Sequence, residues 1–170
     1  AEQMRTRALS PVELTEHMLA RIESVDGRLR AYCTVMSEQA RAQAAQAERE
    51  IAAGRYLGPL HGVPIAVKDL CFTKGVRTMG AAAVLADHIP NEDATVVTRL
   101  AEAGAVLLGK LNLTEGAMGG YNPQFEAPLN PWNPGVWAGA SSSGSGVATA
   151  AGLAYGTLGS DTGGSIRFPA

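Results

Sequence analysis

The spacing of apolar residues in the first third of the chain predicts two helices. Ser10-Pro11-Val12-Glu13 has the order of a helix start, because Ser suits the N-cap, Pro the first helical position and Glu the third. The apolar residues that follow fall on one helical face: Leu14, Met18, Ile22 and Val25. We expect this helix to end at Asp26-Gly27. A second, Ala-rich helix is predicted from about Ser37 to Ala53, with Gly54 as its stop.

Short apolar runs further along the chain predict strands. The candidate strands are residues 31–36, 65–70, 106–108 and 155–160. A third helix is predicted from Asp93 to a point before Gly104, and the apolar positions within 147–153 predict a short buried helix. This succession of helix, glycine and apolar strand is typical of an α/β domain.

Length and charge limit the classes of function. A chain of 170 residues is about the size of one globular domain. Its net charge of −2 gives no electrostatic indication of nucleic-acid or anionic-membrane binding. No apolar run is long enough for a membrane span, and no signal-peptide pattern opens the chain. Cys33 and Cys71 have neither metal-ligand nor disulfide-framework spacing, so we expect reduced thiols in a cytoplasmic protein.

Serine and glycine are concentrated in the stretch from Gly139 to Ala170. They gather at its two ends, in Ser141-Ser142-Ser143-Gly144 and in Thr162-Gly163-Gly164-Ser165. Adjacent glycines before a serine suit a turn whose N–H groups converge on one point, as in an anion nest or an oxyanion hole. Ser165 is placed to act as a nucleophile on such a turn. A serine hydroxyl does not ionise at neutral pH, so it needs a base.

Lys68 is the candidate base. It ends the apolar run Val63–Val67, where a solvated lysine would be unusual. Burial lowers the pKa of an amine, so the amine can be neutral and accept a proton. The residues alone leave two interpretations open for Lys68: a catalytic base and a structural ion pair with Asp69.

These segments together resemble the signature stretch of the amidase signature family. The resemblance rests on G-A-S-S-S-G-S-G from Gly139, on G-S-D-T-G-G-S-I-R-F-P from Gly159 and on Val67-Lys68-Asp69, which occur in the family's order. It implies the amidase signature fold, an α/β fold whose central mixed β-sheet is covered by helices on both faces. It covers essentially the whole chain, which we expect to be a single amidase signature domain over residues 1–170, incomplete at its C-terminus.

The resemblance also implies a Ser–Ser–Lys catalytic triad. Lys68 would take a proton from Ser141, the bridging serine that follows a cis peptide bond, and Ser141 would take one from Ser165. Ser165 would then attack an amide carbonyl and form an acyl-enzyme. Neither a metal nor an organic cofactor is required for this chemistry.

Further residues receive supporting roles through the same resemblance. The oxyanion hole is assigned to backbone N–H groups of Thr162, Gly163 and Gly164, together with Ser165. Ser142 is expected to support the hydrogen-bond network. Asp161 and Arg167 are expected to fix the nucleophile loop, and an ordinary ion pair between them is an equal alternative.

Two glycine motifs resemble nucleotide-binding sites, and we reject both as such sites. Gly104–Leu111 matches a phosphate-binding loop except at Leu111, and its four intervening residues are apolar and predict a strand. Gly144-Ser145-Gly146 follows a Pro-rich loop and lacks the acidic residue of a dinucleotide fingerprint. The Pro- and Trp-rich loop at 119–138 is either a substrate-side loop or a packed connection.

Three functions remain open from the sequence. The first is a free amidase that hydrolyses a small carboxamide, with no nucleic-acid or membrane partner and with a homodimer left open. The second is the A subunit of a glutamyl- or aspartyl-tRNA amidotransferase, which shares the triad and passes ammonia onward. The third is a non-catalytic structural or binding piece.

Overall fold

The structure is a computed structural model that describes residues 2–170. Its α-helices are α1 Glu2–Arg5, α2 Pro11–Leu29, α3 Ser37–Ala52, α4 Thr95–Glu102 and α5 Ser143–Ala150. Its strands are β1 Tyr32–Val35, β2 Pro64–Lys68, β3 Val106–Leu111 and β4 Gly156–Leu158. Short 3-10 turns occur at Ala83–Leu85 and Glu115–Ala117. Within residues 2–170, none of the helices combines the length and the apolarity that a membrane crossing requires.

The four strands form one mixed sheet in the order β1-β3-β2-β4. β2 runs parallel to β3 and to β4, whereas β1 runs antiparallel to β3. Because the carboxyl ends of parallel strands lie at the same edge of a sheet, the residues that follow β2 and β4 meet there. This mixed α/β architecture confirms the predicted fold class.

Helices cover both faces of the sheet. On one face, α2 and α5 pack against Ala66 and Leu108. On the other face, α4 packs with Ile65 and Val67. Side chains alternate along a strand, so Lys68, like Ala66, points toward the face that α5 covers.

A bulge in β3 changes the direction of the side chains at its end. Ile65 pairs with Leu107, but Val67 pairs with Lys110, so β3 advances three residues where β2 advances two. One extra residue in a strand reverses the alternation of faces beyond it. A Cβ atom at Gly109 would lie 2.3 Å from a carbonyl oxygen of β1, so the bulge requires glycine.

The end of α2 differs from the prediction. Asp26-Gly27 does not end the helix, which continues to Leu29. The Asp26 carboxylate accepts hydrogen bonds from the backbone N–H groups of Ala31 and Tyr32, at 2.8 and 3.1 Å. The aspartate therefore joins the helix directly to β1 and does not act as a stop signal.

Other boundaries differ by a few residues. β2 ends at Lys68 and not at Leu70, and β4 is limited to Gly156–Leu158 within the predicted 155–160. β3 extends beyond the predicted 106–108 to Leu111. α5 begins at Ser143, before the first apolar residue that indicated a helix, because its first turn consists of buried serine and glycine. A pattern based on apolar positions cannot detect such a turn.

Close backbone contacts hold α5 against the sheet. A Cβ atom at Gly144 would lie 2.5 Å from the carbonyl oxygens of both Ala31 and Asn112, so only glycine permits this approach. At the other end of α5, the Arg21 guanidinium donates to the backbone carbonyls of residues 151 and 152, at 2.7 and 2.9 Å. These contacts fix residues 141–143 beside the carboxyl end of β2.

The loop at 119–138 packs against the rest of the chain. Its Leu129 N–H donates to the Leu29 carbonyl at 2.9 Å, and the Tyr121 hydroxyl donates to the Gly139 carbonyl at 3.2 Å. Trp132 and Trp137 are nevertheless exposed, and the Trp137 ring lies 6.4 Å from the ring of Phe168. The loop is therefore ordered and adjoins the segment that follows Ser165.

Candidate active site

Lys68 is buried at the end of β2, with an exposed fraction of 0%. Its Nζ donates hydrogen bonds to three hydroxyl oxygens: Ser141 Oγ at 2.6 Å, Ser142 Oγ at 2.9 Å and Ser160 Oγ at 2.9 Å. The first two serines precede α5 and the third follows β4. A lysine ammonium has three donors, so these three acceptors satisfy it completely.

The pKa of Lys68 is lower than that of an exposed lysine. Burial lowers the pKa of Lys68 to about 8, although nearby Cys71 and Asp161 offset part of this effect. An amine with this pKa is partly neutral near neutral pH and can accept a proton from an adjacent hydroxyl. The Asp69 carboxylate pairs with Lys110, at 3.0 Å between Nζ and Oδ1. The interpretation of Lys68 as the ion-pair partner of Asp69 is therefore wrong.

The hydroxyl hydrogen of Ser142 is not available to Lys68. Its Oγ accepts from Lys68 and from the Ser160 N–H at 3.2 Å, and it donates to the Ser160 carbonyl at 3.2 Å. The hydroxyl hydrogen of Ser142 is thus used, whereas that of Ser141 has no other acceptor among residues 2–170. Of these two adjacent serines, Ser141 is therefore the one from which Lys68 can take a proton.

Ser141 is buried, and the peptide bond between Ala140 and Ser141 is cis. This is the configuration that the resemblance implied for the bridging serine. The Ser141 carbonyl accepts a hydrogen bond from Thr114 N–H at 3.3 Å. The backbone around Ser141 is therefore tied to the segment that follows β3.

Ser165 lies on a loop organised by the Asp161 carboxylate. Asp161 accepts hydrogen bonds from the N–H groups of Gly164 at 2.8 Å, Ile166 at 2.9 Å and Arg167 at 3.2 Å. It also pairs with the Arg167 guanidinium at 2.7 and 3.1 Å. The bonds from the Arg167 guanidinium, followed by these N–H groups, hold the pKa of Asp161 well below its usual range. One carboxylate thus fixes the backbone on both sides of Ser165.

One of the backbone N–H groups predicted to form the oxyanion hole, that of Gly164, has another partner. The Gly164 N–H, which the resemblance assigned to the oxyanion hole, donates to Asp161 and is not free for an oxyanion. In the part of the chain that the structure describes, the N–H groups of Thr162, Gly163 and Ser165 have no hydrogen-bond acceptor. These three groups are the donors that the loop can offer to a negatively charged oxygen.

Ser165 is held beside the lysine cluster through its backbone. Its carbonyl accepts a hydrogen bond from the Ser142 N–H at 3.0 Å, and its side chain is partly exposed. Among residues 2–170, no hydrogen bond joins the hydroxyl groups of Ser141 and Ser165. The structure therefore brings Lys68, Ser141 and Ser142 into direct contact and places Ser165 next to them on a separate loop.

Ser160 is the site residue that the sequence analysis missed. It lies directly after β4, and β4 is parallel to β2, so Ser160 reaches the same edge of the sheet as Lys68. The sequence does show a polar residue between an apolar strand and Asp161. This position indicates a site residue only when the pairing of β4 with β2 is known.

Replacing Asp161 with alanine is expected to lower kcat/KM about 100-fold, because the loop that carries Ser165 loses the hydrogen bonds that hold its backbone. Arg167→Ala is the matched control. The Arg167 side chain is 74% exposed, so its removal should lower kcat/KM less than about fivefold. Steady-state kinetics and thermal unfolding of both variants are the measurements. Equal losses would show that the ion pair, and not the carboxylate–amide bonds, holds the loop.

Comparison with known proteins identifies the family. The amidase family model matches residues 13–170. The chain is 56% identical over 169 residues to "Putative amidase AmiD" of Mycobacterium tuberculosis, covering 99% of this chain and 36% of that protein. It is 51% identical over 171 residues to the A subunit of the glutamyl-tRNA(Gln) amidotransferase of Geobacter metallireducens, covering 99% of this chain and 35% of that protein. The chain thus spans about a third of the length of these curated relatives.

A solved structure shows the same architecture. The native peptide amidase from Stenotrophomonas maltophilia superposes with a TM-score of 0.90 at 37% identity, covering 96% of this chain and 35% of that chain. The similarity thus extends over almost all of the described fold. Family match, sequence identity and fold agree, and the chain belongs to the amidase signature family.

Proposed function

We propose that the protein hydrolyses the C–N bond of a non-peptide carboxamide, with Lys68, Ser141 and Ser165 as its catalytic triad. The observation that carries this proposal is the buried Lys68 amine, which bonds to Ser141 Oγ at 2.6 Å and has a pKa of about 8. The membership of the chain in the amidase family supports the same chemistry.

The first half-reaction forms an acyl-enzyme. The neutral Lys68 amine accepts the hydroxyl proton of Ser141, and Ser141 accepts that of Ser165 while Ser165 Oγ attacks the carbonyl carbon. A C–O bond forms and the carbonyl π electrons move to oxygen. The free N–H groups of Thr162, Gly163 and Ser165 stabilise this oxyanion. When the intermediate collapses, the C–N bond breaks and the leaving nitrogen takes a proton from the relay.

The second half-reaction releases the acid. Water loses a proton to the same relay and attacks the acyl-enzyme ester, and the Ser165–acyl bond breaks as Ser165 regains its proton. In both halves Lys68 passes through its ammonium form. Ser142 and Ser160 then accept two of the three ammonium hydrogens, so the transient charge is solvated by fixed hydroxyl groups.

A panel of amides tests this proposal on the complete protein. A short aliphatic amide, an anilide and a peptide with a C-terminal amide should be assayed for release of ammonia or amine. A fluorophosphonate should be used in parallel, with mass spectrometry to locate its adduct. We expect turnover of at least one amide and a single adduct on Ser165. Turnover with an adduct on another serine, or with no adduct, would overturn the triad assignment.

A second candidate function is the A subunit of a tRNA-dependent amidotransferase. It is favoured by the 51% identity to a relative that bears this name. Hydrolysis of free glutamine, together with co-purification of partner proteins and transfer of ammonia to a charged tRNA, would support it. Hydrolysis of simple amides by the protein without partner proteins would support the free amidase.

A further inference from the structure

A second buried lysine lies near Lys68 and takes no part in the proposed relay. The exposed fractions of Lys110 and Asp69 are 0% and 1%, and their charged groups are 3.0 Å apart. Lys110 Nζ also donates to Thr78 Oγ1 at 2.6 Å. Lys110 reaches Asp69 because the bulge at Gly109 turns it to the face of the sheet opposite Lys68.

Asp69 fixes the chain that directly follows Lys68. Its Oδ2 accepts hydrogen bonds from the N–H groups of Met79 at 3.0 Å and Gly80 at 3.1 Å. Its own N–H donates to the Leu111 carbonyl at 2.9 Å. Lys68 is the last residue of β2, and the Asp69 carboxylate fixes the position of the chain that follows it.

Stability alone does not explain a buried ion pair at this position. Removing two charges from water has a desolvation cost that often equals or exceeds their attraction, and an apolar pair of similar volume is frequently as stable. The pair also depends on a bulge and on Gly109, which add a further structural requirement. A role connected with the adjacent Lys68 accounts for these features.

The charged and polar groups around Lys68 indicate what this role is, because they affect the protonation of its amine. On the side of α5 and β4 it faces serine hydroxyls and, further away, the Asp161 carboxylate, which is paired with Arg167. The Cys71 thiol lies on the segment after β2 and, like Asp161, favours the protonated amine. An unpaired carboxylate at Asp69 would add to this effect in a buried region of low dielectric constant.

We propose that Asp69 and Lys110 form a charge-neutral clamp, in which the carboxylate fixes the chain after Lys68 and the ammonium cancels the field of that carboxylate at the Lys68 amine. Both are positioning residues, and neither contacts the substrate. The clamp rests on the proposed function in one respect, namely that Lys68 is the catalytic base. Its charge effect can be measured without any catalytic assay.

The test is a titration of Lys68 by NMR in the complete protein labelled with 13C-lysine, with Lys68→Met used to assign the signal. Lys110→Met leaves the carboxylate uncompensated and should raise the pKa of Lys68 by about one pH unit. Asp69→Asn leaves the ammonium uncompensated and should lower it by a similar amount. The double variant removes both charges and should return the pKa close to that of the wild type.

Thr78→Val is the matched control, because it breaks a hydrogen bond to Lys110 but changes no charge. It should leave the pKa of Lys68 unchanged. Shifts of the same sign in the two charge variants, or no shift in either, would overturn the clamp. If a single variant does not fold, the double variant decides, since a shift of more than about half a pH unit there contradicts charge cancellation.

Kinetics separate the clamp from the proposed function. In Lys110→Met, kcat/KM at pH 7 should fall about tenfold and recover above about pH 9.5, because only the neutral fraction of Lys68 has changed. If Lys68→Met keeps full activity, the triad is wrong even where the NMR shifts occur. If Lys68→Met is inactive and the NMR shifts are absent, only the clamp is wrong.

Discussion

Replacing Ser165 with alanine is expected to lower kcat/KM for amide hydrolysis by about 10⁴-fold or more. The variant lacks the oxygen that forms the acyl-enzyme, whereas the Lys68 cluster and the N–H groups of the loop remain in place. The side chain of Ser165 makes no hydrogen bond with the described residues, so its removal should leave the thermal unfolding temperature almost unchanged. The measurement combines steady-state kinetics with fluorophosphonate labelling.

Ser160→Ala is the control for this experiment. It removes a neighbouring serine hydroxyl that holds Lys68 but cannot act as the nucleophile in the proposed mechanism. We expect a loss of about tenfold in kcat/KM, with labelling of Ser165 retained. Labelling that persists in Ser165→Ala and disappears in Ser160→Ala would show that Ser165 is not the nucleophile.

Replacing Lys68 with methionine should lower kcat/KM by about 10³-fold or more and remove the acidic limb of the pH–rate profile. Burial depresses the pKa of Lys68 to about 8, so the amine is mainly protonated below pH 8 and cannot accept a proton. Wild-type activity should therefore rise as the pH passes through about 8 and level off above it. Profiles of kcat/KM between about pH 6 and 10 provide the measurement.

Lys68→Arg separates the charge of Lys68 from its basicity. The guanidinium keeps a positive charge and donors for the serine hydroxyls, but it does not become neutral in the accessible pH range. We expect it to be as inactive as Lys68→Met at every pH. An active arginine variant would show that the site needs a cation at this point, and the proposed proton relay would then be wrong.

Local patterns were sufficient to predict most of the scaffold. The apolar face of α2, with Leu14, Met18 and Ile22, is buried in the structure, and the strand before Lys68 is buried throughout. The family resemblance added the association of Lys68 with Ser141, whose segments lie far apart in the chain. No local pattern could have supplied that contact, because it depends on how α5 is positioned over β2.

The remaining features depend on strand pairing. Lys110 belongs to a segment that resembled a phosphate-binding loop, and its pairing with Asp69 follows from a bulge that appears only when β3 is aligned with β2. Ser160 likewise acquires its role from the pairing of β4 with β2. The bond from the Gly164 N–H to Asp161 depends on the conformation of one turn, which a glycine pair permits but does not determine.

The long sequence separations within the Lys68 cluster have a consequence for folding. Lys68 is 73 residues from Ser141 and 92 residues from Ser160, so its hydrogen bonds join residues that are far apart in the sequence. Loop closure over such distances is slow, and strands with mainly non-local partners form late. During synthesis, β2 leaves the ribosome well before these serines exist, and its lysine has no acceptor in the nascent chain. We therefore expect the Lys68 end of β2 to be buried only once α5 and β4 have docked, so that assembly of the site and completion of the sheet coincide.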